Sequence, residues 1–246
     1  KVAQRFAVAG AHRHGAGHAA RRQMIQQAQK ERQVGAFHTL FIEGQDVGCS
    51  GGVKQVVGIF RALGDALVGQ QLGHRVTLIS GPTSLDIPPL VDFIPVETAE
   101  EMLEAVKLNI KSQDAAIFSA AVADYRPSFN SDRKIKKTTD SLTLELVRNP
   151  DILGSARPQF KYDGILVGFA AETENLEKNA RAKLRQKECD LIVANDISKK
   201  GIGFDSDHNE VLLVYPEHTR PIPIESKERL AHIILQAVDD LSAEGS

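Results

Sequence analysis

Apolar residues recur at helical spacing along positions 56–72. Val56, Ile59, Phe60, Leu63, Leu67 and Val68 fall on one face of a 3.6-residue period. Gly73 follows, in the place where a helix C-terminus favours a residue without a Cβ. A short apolar run at 37–42 predicts a strand before this helix, with a Gly-containing stretch at 44–52 between them. After the helix, the β-branched run Arg75-Val-Thr-Leu-Ile-Ser80 ends at Gly81-Pro82 and reads as a strand. A second short strand is predicted at 92–96. Thr98 with Glu101 three residues on is a capping box, which starts a helix over 99–110. Strands are then predicted at 114–119, 164–169 and 190–194, with a helix at 173–187.

Short strands alternating with helices of this length argue for βαβ units and a parallel sheet. The strand runs are nearly continuously apolar, as in strands covered on both faces. Two segments break the rhythm. Residues 134–147 place Leu142, Leu144 and Leu146 on one face and read as a β-arm inserted between sheet elements. Residues 210–215 and 222–224 flank a turn at 216–221 and read as an antiparallel hairpin, before a last helix at 227–241. The expected fold is α/β: a Rossmann-like, mostly parallel sheet flanked by helices, with an inserted β-arm and a C-terminal antiparallel hairpin.

Composition narrows the class without naming it. Of 246 residues, 42% are apolar and 25% charged, enough for one large α/β domain or two small ones, with a soluble surface. The net charge of −2 asks for neither nucleic acid nor an anionic membrane. No run approaches the ~20 apolar residues of a membrane span. Two cysteines, Cys49 and Cys189, cannot make a disulfide framework, which points to a reducing, cytoplasmic setting. Residues 1–34 stand apart as an atypical basic segment, expected to be poorly ordered, with the α/β domain over 35–246. Its charges are Lys1, Arg5, Arg13, Arg21, Arg22, Lys30 and Arg32 against the single acid Glu31. A mitochondrial or plastid leader is basic in this way but Ser-rich, and no Ser occurs there. The first residue is not Met, as expected of a fragment, a processed product or a trimmed sequence. His12, His14 and His18 lack Cys or carboxylate companions and read as solvated; no metal ligands are assigned.

In an open parallel sheet, ligands bind at the carboxyl ends of the strands. The strand ending at Phe118 runs into Ser119-Ala-Ala-Val-Ala-Asp124. Small residues there admit a ligand close to the backbone, and Asp124 offers a carboxylate for a ribose hydroxyl pair or merely caps a surface loop. The cluster Arg133-Lys-Ile-Lys-Lys137 suits a phosphate-rich substrate, or is a solvated charged arm. Asn149-Pro150-Asp151-Ile152-Leu153 opens a short helix, with Pro150 in its first turn and exposed amides as an anion site. Phe169 ends another strand in small residues, placed to stack on a base. Lys183 and Lys187 are four apart and share a helix face beside the core stripe Leu176, Ala180 and Leu184; two such lysines are commonly just solvated. Cys189 opens a strand and reads as buried filler.

The ordered run HRVTLISGP (74–82), SAAVADYRP (119–127), KIKK (134–137), LVRNPDIL (146–153), VGFAAET (167–173), DLIVAND (190–196) and GIGFDSDHNEV (201–211) resembles phosphopantothenate–cysteine ligase of the bacterial, CTP-dependent type. The resemblance holds from about residue 62. It implies activation of the 4′-phosphopantothenate carboxylate by CTP with Mg²⁺, then attack of the cysteine amine on the acyl-nucleotide. By resemblance, Phe118, Ser119 and Ala120 line the nucleotide pocket and Asp124 binds the nucleotide. Lys134 resembles the family's catalytic arm lysine. Pro150, Asp151, Ile152, Leu153, Phe169, Lys183 and Lys187 resemble further nucleotide contacts. A homodimer, and association with a flavin-dependent decarboxylase, are also implied.

The first 60 residues depart from that family. It opens with a strand, a Gly-Pro-Thr or Gly-Gly-Thr loop and an Asn-bearing stretch that cradles phosphates, whereas Ser50-Gly-Gly-Val-Lys54 is a poor match. Either a reading-frame error or chimeric join lies upstream, which the sharpness of the change favours, or the chain has diverged. The alternative function is therefore a catalytically impaired nucleotide-binding or dimerisation module on the same scaffold. A nicotinamide-dependent oxidoreductase lacks support, since no G-x-G-x-x-G follows a first strand.

Overall fold

The computed structural model describes residues 38–42, 55–57, 68–69, 71–82, 86–119, 122–128, 143–199 and 206–244. The basic segment 1–34, the three histidines, Cys49, the Gly-rich stretch and the lysine cluster at 134–137 lie outside these residues. In chain order the elements are β1 (His38–Ile42), β2 (Gln55–Val57), β3 (Arg75–Ser80), β4 (Val91–Pro95), α1 (Ala99–Asn109), β5 (Ala115–Phe118), β6 (Tyr125–Pro127), β7 (Leu146–Arg148), α2 (Ile152–Ser155), β8 (Ile165–Glu172), α3 (Leu176–Lys187), β9 (Leu191–Asp196), β10 (His208–Val214), β11 (Thr219–Ser226) and α4 (Lys227–Glu244).

Strands β3, β4, β2, β5, β8 and β9 pair in parallel. The sheet continues antiparallel through β10 into β11, which is the expected C-terminal hairpin. Alternate residues of the central strands face opposite layers, and both layers are apolar. On one side Leu78, Ile117, Val167, Leu191 and Leu213 pack with Leu230, Ile234, Leu235 and Val238 of α4. On the other, Ile79, Ala116, Leu166 and Ile192 meet Met102 and Val106 of α1 and Ala180 and Leu184 of α3. Each fully buried Leu or Ile here stabilises the fold by roughly 1.5–3 kcal/mol. The continuous apolar runs of the sequence thus follow from coverage on both faces.

Local signals set several boundaries. Thr98 Oγ1 accepts the Glu101 N–H at 3.1 Å while the Glu101 carboxylate accepts the Thr98 N–H, so the capping box is complete. Gly73 has φ +86°, and the His74 N–H reaches back to the Gly69 carbonyl at 3.0 Å, the closing bond of a Schellman turn. The helix predicted over 56–72 is corrected at its start. Val56 lies in β2, in register with Val76 on one side and Ala115 on the other. A few β-branched residues satisfy either period, and the open slot between β3 and β5 decides in favour of the strand.

That slot is shared. The short β2 fills part of it in parallel, and β1 fills the rest, antiparallel to β3 and meeting β5 at Leu40↔Ile117. Outside the main sheet, β6 and β7 form a two-stranded antiparallel ribbon. This ribbon brackets the segment read as an inserted arm, of which residues 134–142 lie outside the described residues. Among the described residues no helix is long and apolar enough to cross a membrane.

Candidate active site

A cleft of about 490 Å³ opens at the carboxyl ends of β5 and β8, where the rule for parallel sheets puts a ligand. Phe118, at the end of β5, and Phe169, which lies within β8 rather than at the predicted strand end because the strand runs on to Glu172, lie in its wall. Val122, Ala123, Asp124 and Tyr125 form one rim, and Arg148, Asn149, Pro150, Asp151, Ile152 and Leu153 the next. Lys183, Gln186 and Lys187 enter from α3, and Met102 from α1. Nine sequence candidates therefore converge: Phe118, Asp124, Pro150, Asp151, Ile152, Leu153, Phe169, Lys183 and Lys187. Ser119 adjoins this wall without lining the cleft; its Oγ is buried and has no hydrogen-bond partner among the described residues. Ala120 and Lys134 lie outside the described residues.

The short helix α2 starts at Ile152, two residues beyond the Pro150 that the sequence places in its first turn. Asp151 is its N-cap, accepting the Gly154 N–H at 2.9 Å, and Pro150 stands before the cap rather than in the first turn. Side-chain oxygens at this position satisfy amides the helix itself leaves open. The carboxylate folds back over Gly154 so closely that a Cβ there would meet it at 2.4 Å. Part of the amide donor set expected for an anion is thus already occupied by Asp151.

The lysines are not merely solvated. Lys187, its side chain only 17% exposed, is ion-paired with Asp151. Burial raises the Asp151 carboxyl, but the Lys187 ammonium and the Gly154 N–H together outweigh it and hold the group below its ordinary value. Lys183 donates to the Phe169 carbonyl at 2.5 Å. Burial pushes its ammonium below the usual lysine value, and neighbouring Lys187 adds to that. Removal from water disfavours charge, so these two partly buried cations leave their side of the cleft wall receptive to an anion. Cys189 sits behind this wall, 4% exposed, as expected of filler. Burial, with Asp190 acting in the same direction, drives its thiol up to about 12.

Sequence reasoning missed Met102, Val122, Ala123, Tyr125, Arg148, Asn149 and Gln186. Val122, Ala123, Tyr125, Arg148 and Asn149 stand inside the strings 119–127 and 146–153, and Gln186 stands one turn from Lys183, so all six lay within reach of the sequence. Met102 carries no local signal, because only the packing of α1 over the sheet brings it here.

The family described as the DNA/pantothenate metabolism flavoprotein C-terminal domain matches residues 62–241. The chain belongs to this family. Among relatives of this DNA/pantothenate metabolism flavoprotein domain, the Coenzyme A biosynthesis bifunctional protein CoaBC of Bacillus subtilis (strain 168) is 48% identical over 185 residues, covering 74% of this chain and 45% of that protein. Its counterpart in Escherichia coli (strain K12) is 42% identical over 176 residues, covering 70% and 43%. The chain thus spans less than half the length of these relatives. A crystal structure of the C-terminal domain of a CoaBC bifunctional protein superposes with a TM-score of 0.62 at 32% identity, covering 84% of this chain and 92% of that one. The DNA/pantothenate metabolism flavoprotein from Streptococcus pneumoniae shares the fold at 18% identity, with a TM-score of 0.61 and coverage of 84% and 96%. The family match begins where the motif resemblance begins, and β1 and β2 precede it.

Proposed function

We propose that this chain is the ligase part of coenzyme A synthesis, joining 4′-phosphopantothenate to cysteine at the expense of CTP. The observation that carries the reading is the convergence of the nine candidate residues on one cleft, in a chain 42–48% identical to coenzyme A biosynthesis proteins over this region.

In the first step a carboxylate oxygen of phosphopantothenate attacks the α-phosphorus of CTP, and pyrophosphate leaves with the electron pair of the broken P–O bond. In the second, the cysteine amine attacks the acyl carbon of the mixed anhydride; the C–O bond breaks, CMP departs, and the amine proton passes to solvent. Phe118 supplies apolar surface for the base and Asp124 an acceptor for sugar hydroxyls, while Phe169, whose side chain packs into the opposite layer, holds Lys183 through its carbonyl. Lys183 and Lys187 offset phosphate charge where water is partly excluded, and such preorganised charge is worth more there than in bulk solvent. Lys134 belongs to transition-state charge stabilisation rather than proton transfer. Mg²⁺, when bound with the triphosphate, would neutralise part of its charge. It would enter on the nucleotide: among the described residues no three His, Cys, Asp or Glu side chains converge.

A homodimer and a flavin-dependent decarboxylase partner belong to the same proposal. The designation of the relatives as bifunctional supports the second activity, and a cytoplasmic location follows from the pathway. The test is a coupled assay with 4′-phosphopantothenate, cysteine, Mg²⁺ and either CTP or ATP, following pyrophosphate and nucleoside monophosphate together. Turnover with CTP, reduced about 10²–10³-fold in Lys134→Ala, is the expected outcome. Pyrophosphate without amide would mean that the atypical first 60 residues have removed the second step. No product from folded protein would overturn the ligase reading in favour of a binding module.

A further inference from the structure

The rim of the cleft is built from two segments far apart in sequence, one carrying Ala123 and Asp124, the other Arg148 and Asn149. Asn149 stitches them together. Its backbone N–H donates to the Asp124 carbonyl at 2.9 Å and its side-chain Nδ2 to the Ala123 carbonyl at 2.7 Å. Its Oδ1 accepts from Arg126 Nη1 at 3.2 Å, and the same nitrogen donates to the Arg148 carbonyl at 2.7 Å. The other arm of the guanidinium pairs with Glu100 in the first turn of α1. Arg126 thus spans three elements and fastens the exposed rim to a helix packed on the core.

We infer that Arg126 is a positioning residue for nucleotide binding, acting through Asn149 and the rim backbone to set where Asp124 stands. The inference rests on the ligase reading above. Stability alone does not explain the arrangement: the Arg126 and Glu100 side chains are 38% and 47% exposed, and ion pairs so placed stabilise folds little. The hydrogen bonds, by contrast, end on backbone or side chain of residues that line the cleft. A planar fork with several fixed donors serves two oxygens and a carboxylate at once, and an ammonium cannot. Holding Asp124 still matters because small misplacements at a binding wall carry large rate and affinity losses.

The experiment measures CTP binding by calorimetry in Mg²⁺ buffer, and steady-state kinetics, on the full chain with Arg126→Lys, Glu100→Gln and both together. Arg126→Lys keeps the charge and the pairing with Glu100 but loses the fork. It is expected to raise Kd and KM for CTP about tenfold, with KM for cysteine unchanged and Tm lowered by no more than about 3 °C. Glu100→Gln, outside the cleft, is expected to raise KM for CTP about two- to threefold and to add nothing to Arg126→Lys, since the two act as one unit. Wild-type CTP binding in Arg126→Lys would overturn the inference and leave the ligase reading standing. So would a fall in kcat that tracks Tm with every KM unchanged, which is what a purely structural role gives. A wild-type chain that neither binds nor turns over CTP would overturn the ligase reading itself, and the inference with it.

Discussion

Replacing Asp151 separates two roles that its carboxylate combines. It caps α2 at the Gly154 N–H and pairs with Lys187. Losing an Asp cap to Ala costs about 1 kcal/mol. The ion pair adds up to ~1 kcal/mol at most, because the Asp151 side chain is 57% exposed and solvent screens it. Asp151→Ala should therefore destabilise the chain by about 1–2 kcal/mol. Asn caps as well as Asp, so Asp151→Asn should lose only the charge, under about 1 kcal/mol. Gly154 sharpens the test, since a methyl there would displace the capping carboxylate. Gly154→Ala alone should be nearly neutral, with a helix-propensity gain of about 1 kcal/mol offsetting the lost cap. In the Asp151→Ala background the same substitution should stabilise by about 1 kcal/mol, because no cap remains to lose. Urea unfolding of the wild type and these four variants at pH 7 reads all of this.

The pH dependence has a fixed sign. The folded-state Asp151 value lies below the ordinary 3.8, so its contribution is fully present above that value. It is lost as pH falls through the lower, folded value. The gap between wild type and Asp151→Ala should accordingly narrow in acid. Equal losses from Asn and Ala, or strict additivity of Asp151→Ala and Gly154→Ala, would refute the assignment of the cap.

Lys183→Met should weaken CTP binding while leaving stability at pH 7 equal or higher, because burial already disfavours the ammonium. Since the unfolded chain keeps this proton to higher pH, the wild type should gain on the variant as pH rises toward 10.5, and thermal melts across pH 7–10 would show it. Cys189, with its thiol near 12, should resist iodoacetamide at pH 8 until the chain unfolds, because the thiolate is the nucleophile. Peptide mass spectrometry follows it separately from Cys49, and labelling at the rate of a free thiol would contradict the burial.

The sheet was legible because strands covered on both faces are apolar along most of their length, and β3, β5, β8 and β9 carry such runs. The strand-end position of Phe118 was legible for the same reason, since the parallel topology dictates where ligands go; Phe169 was read as a strand end, but β8 runs on to Glu172. Other features depend on partners the local sequence does not announce. The spacing of Lys183 and Lys187 put them on one face but could not say whether that face meets water or α2. Helix α3 begins at Leu176 rather than at 173 because Asn175 adopts φ +51°, and it ends on Glu188 at φ +52°, a left-handed position where Gly would be the usual signal. The Arg126 network joins residues more than twenty apart, beyond the reach of any periodicity. Val56 was misread because a β-branched residue suits both periods and its neighbours across the sheet made the choice.

The divided slot between β3 and β5 bears on how this domain can be cut. Both pieces that fill it, β1 and β2, precede the family match that starts at 62. A chain trimmed to that boundary would retain its family motifs yet expose two unpaired strand edges at the middle of the sheet, where apolar residues are concentrated. Edges of that kind recruit strands from other molecules. The trimmed domain should self-associate or exchange strands between copies, and a peptide supplying residues 38–57 in trans should suppress that association.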